Sequence, residues 1–173
     1  MMAITYTEKG HWLHEEIERQ GHWLEQRDGV WVSSDDVVVQ AIIDAFDPLP
    51  HAQREASERV DEAAGKSRAR YITWQPGQEA VYQLKREQAQ AYKTAGYPAD
   101  ASPWPLIDTE AQARGISAQQ VADEILAIAA AWVQKAAQIE AIRMKAKADI
   151  KAATNWQACL AIAEQAERDL EAV

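Results

Sequence analysis

The sequence predicts a mainly α protein: a small N-terminal α/β unit with a β-hairpin, then an elongated alanine-rich helical hairpin or three-helix bundle. Three observations lead there. The stretch Ser117 to Ala153 holds no glycine and no proline, and Val121, Ile125, Ile128, Trp132, Ile139, Ile142 and Ala146 recur through it at helical, near-heptad spacing. Asp28-Gly29 separates two short runs suited to strands, the strongest local hairpin signal, because it supplies two positive-φ positions. No proline follows Pro105, so the chain is punctuated for two-thirds of its length and then left almost uninterrupted.

In chain order, Ile4-Thr5-Tyr6-Thr7 has strand character, and Trp12 to Gln20 makes a short amphipathic helix with Leu13 and Ile17 on one face, closed by Gly21. Residues 22–27 and 30–33 form the hairpin. Ser34 or Asp35 caps a helix from about Asp36 to Phe46, where Val38, Ile42 and Phe46 repeat every four residues and Pro48 and Pro50 stop it. From His51 to about Ala64 the chain is helical but rich in Glu, Arg, Gln and Ala. With Val60 its only sizeable apolar residue, this helix reads as a solvated connector.

Gln75-Pro76-Gly77 is a turn, and Glu79 to Tyr92 is helical with Tyr82, Leu84, Ala89 and Tyr92 giving it an aromatic side. Gly96 to Pro105 reads as an ordered loop pinned by Tyr97 and Trp104, and Leu106 to Arg114 as a short helix ended by Gly115. Ser117 with Gln120 forms a capping box for the long helix. Thr154 or Asn155 caps the last helix, Trp156 to Glu171, with Trp156, Leu160, Ala163 and Leu170 on one face. These elements divide the chain into an α+β unit at 1–49, a helical connector and turn at 50–77, and an elongated bundle at 78–173. Alanine and Lys135 interrupt the seam of the long helix. It therefore reads as a spine packed on the Glu79–Tyr92 and Trp156–Glu171 helices, with its excess length open to another chain.

The net charge is −9, and residues 1–66 hold 14 acids against 6 bases. Acidity concentrated there disfavours phosphate-backbone binding, so no nucleic-acid partner is expected. A single cysteine, Cys159, excludes an internal disulfide and reads as a small buried apolar residue. Residues 1–9 lack an apolar signal core, and no unbroken apolar run nears eighteen residues, so neither a secretory signal nor membrane insertion is expected.

His11, His14 and His22, with Glu15 or Glu18, are the only candidate metal ligands. A His-x-x-His without a placed third donor does not define a site. Glu15-Glu16 and Asp35-Asp36, with Asp44 and Asp47, are explained by helix ends without invoking acid–base chemistry. No phosphate loop, serine elbow or Cys–His pair occurs. The expectation is a non-enzymatic chain with no catalytic residues, no cofactor and no metal.

Gly10-His11-Trp12-Leu13 recurs as Gly21-His22-Trp23-Leu24, but the flanks diverge, the first copy opening a helix and the second a strand. Seven tryptophans stand against one phenylalanine. Trp12, Trp23 and Trp31 are expected in an N-terminal core, Trp104, Trp132 and Trp156 in a C-terminal one, and Trp74 at the surface. Because Trp and Tyr serve as binding anchors, Tyr71 and Trp74 lead the candidate partner interface, joined by Tyr82, Lys135, Ile139 and Ile142.

Two passages carry a resemblance. Asp28-Gly29-Val30-Trp31, leading through Ser34-Asp35-Asp36 to Val39–Pro50, resembles segments of small proteins encoded beside tail-fibre genes of tailed bacteriophages. Arg70-Tyr71-Ile72-Thr73, Gly77-Gln78, the Tyr82 helix, Pro105-Leu106-Ile107, Gly115, Val121-Ala122 and Ile139–Arg143 look like an alanine-rich helical module of the same neighbourhood. Together they span most of residues 28–153. The resemblance implies a structural component of a phage tail tip, baseplate or tail fibre, located in the virion tail. Its alternative is a dissociable fibre-assembly chaperone acting in the host cytoplasm. Partners would be other tail or fibre proteins, or further copies of the chain in a symmetric trimer. The acidic first third motivates a third reading, an inhibitor of a host protein.

Overall fold

The computed structural model describes residues 3–71 and 78–173, so the turn at 75–77 and Trp74 lie outside the described residues. Among the described residues the chain is helical apart from one antiparallel hairpin. The order is α1 (His11–Arg19), β1 (Leu24–Arg27), β2 (Val30–Ser33), α2 (Asp36–Ala45), α3 (Leu49–Ala69), α4 (Gln78–Thr94), α5 (Pro105–Arg114), α6 (Ala118–Ala152) and α7 (Trp156–Ala172). The chain forms two compact units, Met1–Glu62 with Arg143–Asp169, and Ala63–Ile142 with Leu170–Val173. Each is discontinuous in sequence.

In the first unit the hairpin closes as its turn residues dictate. Arg27 pairs with Val30, and Asp28 and Gly29 take φ of 50° and 79°. Asp35 caps α2, its carboxylate accepting from the amides of Val37 and Val38 at 3.1 Å. Leu13, Ile17, Leu24, Val39, Ile42 and Ile43 form the core, with Ile4, Tyr6, Trp31 and Phe46 against it.

Residues 4–7 are not a strand. The amide of Thr5 donates to the Gln40 side-chain oxygen at 2.7 Å, and the Gln40 amide returns a bond to the Thr5 carbonyl. A side chain thus occupies the place a neighbouring strand would take. The repeated Gly-His-Trp-Leu splits as expected, entering α1 in one copy and β1 in the other. Trp12 is buried, whereas Trp23 is 45 % exposed and carries Arg27 over its ring, so Trp23 is not a core residue. Trp156 also departs from expectation, meeting Trp12 edge-on at 5.9 Å within this first unit.

The largest correction concerns α3, which is not a solvated connector. Ala52, Ala56, Val60 and Ala64 are all fully buried, each one turn from the next. Small side chains at this spacing let neighbouring helices approach closely, so a weakly apolar face is a packing face here. In the first unit the Arg59 guanidinium grips both carboxylate oxygens of Glu167 on α7 at 2.9 and 2.7 Å. Asp61 accepts from Arg143 at 2.7 Å and Lys147 at 2.6 Å on α6.

In the second unit Ala89, Tyr92, Ala101, Ile107, Ala111, Val121 and Ala122 form a core. The 96–105 loop is pinned as read from the sequence: Tyr97 and Trp104 stand edge-on to Tyr92 at 5.5 and 5.0 Å. Gly115, at φ 65°, ends α5 in a left-handed cap, with the Ile116 amide bonded back to Ala111. Ser117 and Gln120 then form the reciprocal capping box of α6 at 3.1 and 3.2 Å. A separate cluster joins Ala64, Ile139 and Leu170.

Candidate interaction surface

Four of the six residues singled out from the sequence converge in the second unit, but on the chain's own last residues. Ile139 is fully buried against Ala64 and Leu170, with Ile142 and Val173 beside it. It is a core residue and presents no surface to a partner. Its heptad-like position on α6 is satisfied from within the chain. The Tyr71 hydroxyl and the Lys135 ammonium both donate to the Val173 carbonyl, at 2.5 and 2.7 Å. Arg70 donates to the carbonyls of Leu170 and Glu171 at 2.5 and 2.7 Å. These groups close the last turn of α7, whose carbonyls lack intrahelical donors. Trp74 lies outside the described residues, and Tyr82 stands apart on α4, 54 % exposed.

The surface left uncovered lies elsewhere in this unit. The last three turns of α4 and the stretch 126–133 of α6 face one another across an open groove of about 880 Å³. Ala91, Ala95, Leu126, Ala129, Ala130 and Val133 give it an apolar lining, and Arg86, Glu87, Gln90 and Thr94 give it polar edges. The helices meet at one end, where Lys93 and Tyr97 bond Asp123 at 3.3 and 2.6 Å. The Asp123 carboxyl is held below the usual carboxylate range, first by the Tyr97 hydroxyl and then by Lys93.

Glu110 on α5 takes Lys85 of α4 at 2.6 Å and Arg114 of its own helix at 3.1 Å, and Arg114 in turn reaches Glu124 of α6 at 2.6 Å. Lys85, and secondarily Arg114, keep its carboxyl below the usual range against the opposing effect of burial. Charge pairs thus tie α5 to both α4 and α6.

The middle of α6 carries exposed apolar side chains. An eighteen-residue window of mean hydropathy 1.3 is only 6 % buried, and by length and composition alone α6 is long and apolar enough to cross a membrane. The absence of an unbroken apolar run hid this from the sequence reading. Ile128 is 70 % exposed and Val133 51 %, and on α4 Val81, Tyr82 and Leu84 are also exposed.

Among the described residues no group of three or more His, Cys, Asp or Glu side chains is arranged to hold a metal. In comparisons with known proteins, no family model, curated protein or solved structure matched this chain.

The groove residues Ala91, Ala95, Ala129 and Ala130 were missed individually in the sequence. Alanine carries no anchor signal, and the cue was the distribution of apolar residues all around α6 rather than along one stripe.

Proposed function

We propose that the chain is a non-enzymatic structural component that works by protein–protein packing, with the α4–α6 groove of its second unit as the docking surface. One observation carries this reading: within the apolar middle of α6 the side chains of Ile128 and Val133 remain 70 % and 51 % exposed. Water-exposed apolar helix surface of that kind is stabilised when a partner covers it. The resemblance in residues 28–153 supplies the setting, a phage tail tip, baseplate or tail fibre, with other tail or fibre proteins as partners.

The same groove serves the alternative role of a fibre-assembly chaperone that leaves before the particle is finished. Mass spectrometry of purified virions, set against the infected-cell lysate, separates the two. A fixed copy number in the particle is expected for the structural role. Presence on fibre chains in the lysate but absence from virions would transfer the assignment to the chaperone. Absence from both would overturn the tail reading altogether.

A further inference from the structure

We infer that the open edge of β1 receives an extended segment of a partner protein, alternating apolar and basic residues, as a third strand of the hairpin sheet. This contact belongs to the first unit and does not depend on the α4–α6 groove.

The backbone pattern defines the edge. The Ser34 amide donates to the Trp23 carbonyl at 3.2 Å, and across the two-residue turn Arg27 pairs with Val30. Bonded pairs alternate along an antiparallel ladder, so Trp23, Glu25 and Arg27 turn their backbone groups toward β2. Leu24 and Gln26 turn theirs outward. Among the described residues these outward amides and carbonyls meet no hydrogen-bond partner. Glu25, Gln26 and Arg27 are all exposed, so the edge opens to solvent. On β2, by contrast, Trp31 carries Tyr6 stacked on its ring at 4.0 Å, and Trp31, Val32 and Ser33 are half-buried.

The two faces of the edge set the partner's pattern, because successive side chains of an added strand point to opposite faces. On one face Leu24 closes the core of the first unit, and an apolar side chain beside it extends that core. On the other face stand Trp23, Glu25 and Arg27. The Arg27 charge is taken by Glu25, and its guanidinium lies over the Trp23 ring at 5.7 Å.

Residues 22–36 hold four acids, Glu25, Asp28, Asp35 and Asp36, against Arg27 as their one base. Lysine or arginine side chains on this face therefore meet an excess of negative charge, and the tryptophan gives them an aromatic surface. The same charges weigh against a second copy, since joining two β1 edges brings both sets of acids together. Main-chain bonds to Leu24 and Gln26 supply affinity in such a contact, and the alternating side chains supply its specificity.

Fluorescence anisotropy of a dye-labelled acetyl-Val-Lys-Val-Lys-Val-Lys-amide peptide, titrated with the full chain, tests the contact. Saturable binding is expected. A peptide with Glu in place of Lys should bind about tenfold or more weaker, and N-methylation of alternate peptide amides should abolish binding. Gln26→Pro removes one outward amide, leaves the ladder bonds of β1 to β2 in place, and should weaken binding about tenfold. Asp28→Asn removes a charge while keeping the turn, because Asn-Gly also favours it, and should weaken binding about two- to threefold. Should Gln26→Pro lower the melting temperature, Asp28→Asn and the N-methylated peptide decide by themselves.

Failure of the Val-Lys peptide to bind overturns the inference. So does equal affinity for the Glu peptide, or for the N-methylated one, which would mean charge attraction without strand pairing. Binding indifferent to Gln26→Pro in a folded chain overturns it as well, as does a dimer of the chain that Gln26→Pro dissolves and the peptide does not.

Discussion

The Lys135 ammonium lies 5.8 Å from the centre of the Tyr71 ring, while both side chains donate to the same carbonyl, that of Val173. A cation, an aromatic face and a helix C-terminus thus stabilise one another in the second unit.

Replacing Lys135 by Met keeps most of the side-chain volume and removes the charge and its bond. Stability should fall by about 1 kcal/mol. Amide exchange near residues 170–173 should rise. Unchanged exchange there would mean that Lys135 does not hold the end of α7.

Gly10 has φ 73° and ψ 178°, a conformation essentially confined to glycine, and an added Cβ would lie 2.6 Å from two carbons of the Trp12 ring. Gly10→Ala should therefore cost about 2–3 kcal/mol, from backbone strain together with displacement of a buried indole. At Gly21, with φ 83° but open space around it, the same change should cost about 1 kcal/mol. Thermal melts of the two variants measure the difference, and equal losses would remove the role given to the Trp12 contact.

Two substitutions on α3 should act in opposite directions. Ala56 is fully buried, so Ala56→Leu overpacks the helix contact and should cost about 1–3 kcal/mol. Gly65 is exposed within the helix with nothing near a prospective Cβ, so Gly65→Ala should stabilise by about 0.5–1 kcal/mol. A solvated connector would tolerate both changes alike. Denaturant unfolding decides.

The depressed carboxyl of Glu110 sets the sign of one pH effect. Because its folded value lies below its unfolded value, the stabilisation is present above the unfolded value and is lost as pH falls through the folded one. Glu110→Gln should reduce stability at neutral pH by about 1 kcal/mol, and the gap between wild type and variant should close as pH falls below the usual carboxylate range. Unfolding curves at pH 7 and pH 3 check this, and a gap that persists in acid would mean that packing, not charge, is lost.

Elements with local punctuation were legible in the sequence: the Asp28-Gly29 turn, the Asp35 cap, the Ser117–Gln120 box and the Gly115 stop all formed as read. What was hidden depended on partners distant in sequence. Ala52, Ala56 and Ala64 look unremarkable on a charged helix until the surfaces that bury them are known. Residues 4–7 have strand propensity, yet Gln40 takes the bonds a strand would have made. Of the residues singled out for an interface, Tyr82 is exposed on α4, whereas Ile139 has the pattern of a seam residue and spends it on Leu170.

Cys159 is fully buried, and burial raises its thiol above the ordinary range, so reagents that attack thiolates meet it in its least reactive form. It is also the only cysteine in the chain. Each labelling event therefore counts one opening of the structure around α7. A thiol reagent added in excess turns this residue into a clock for local unfolding, readable by mass alone and without an introduced probe.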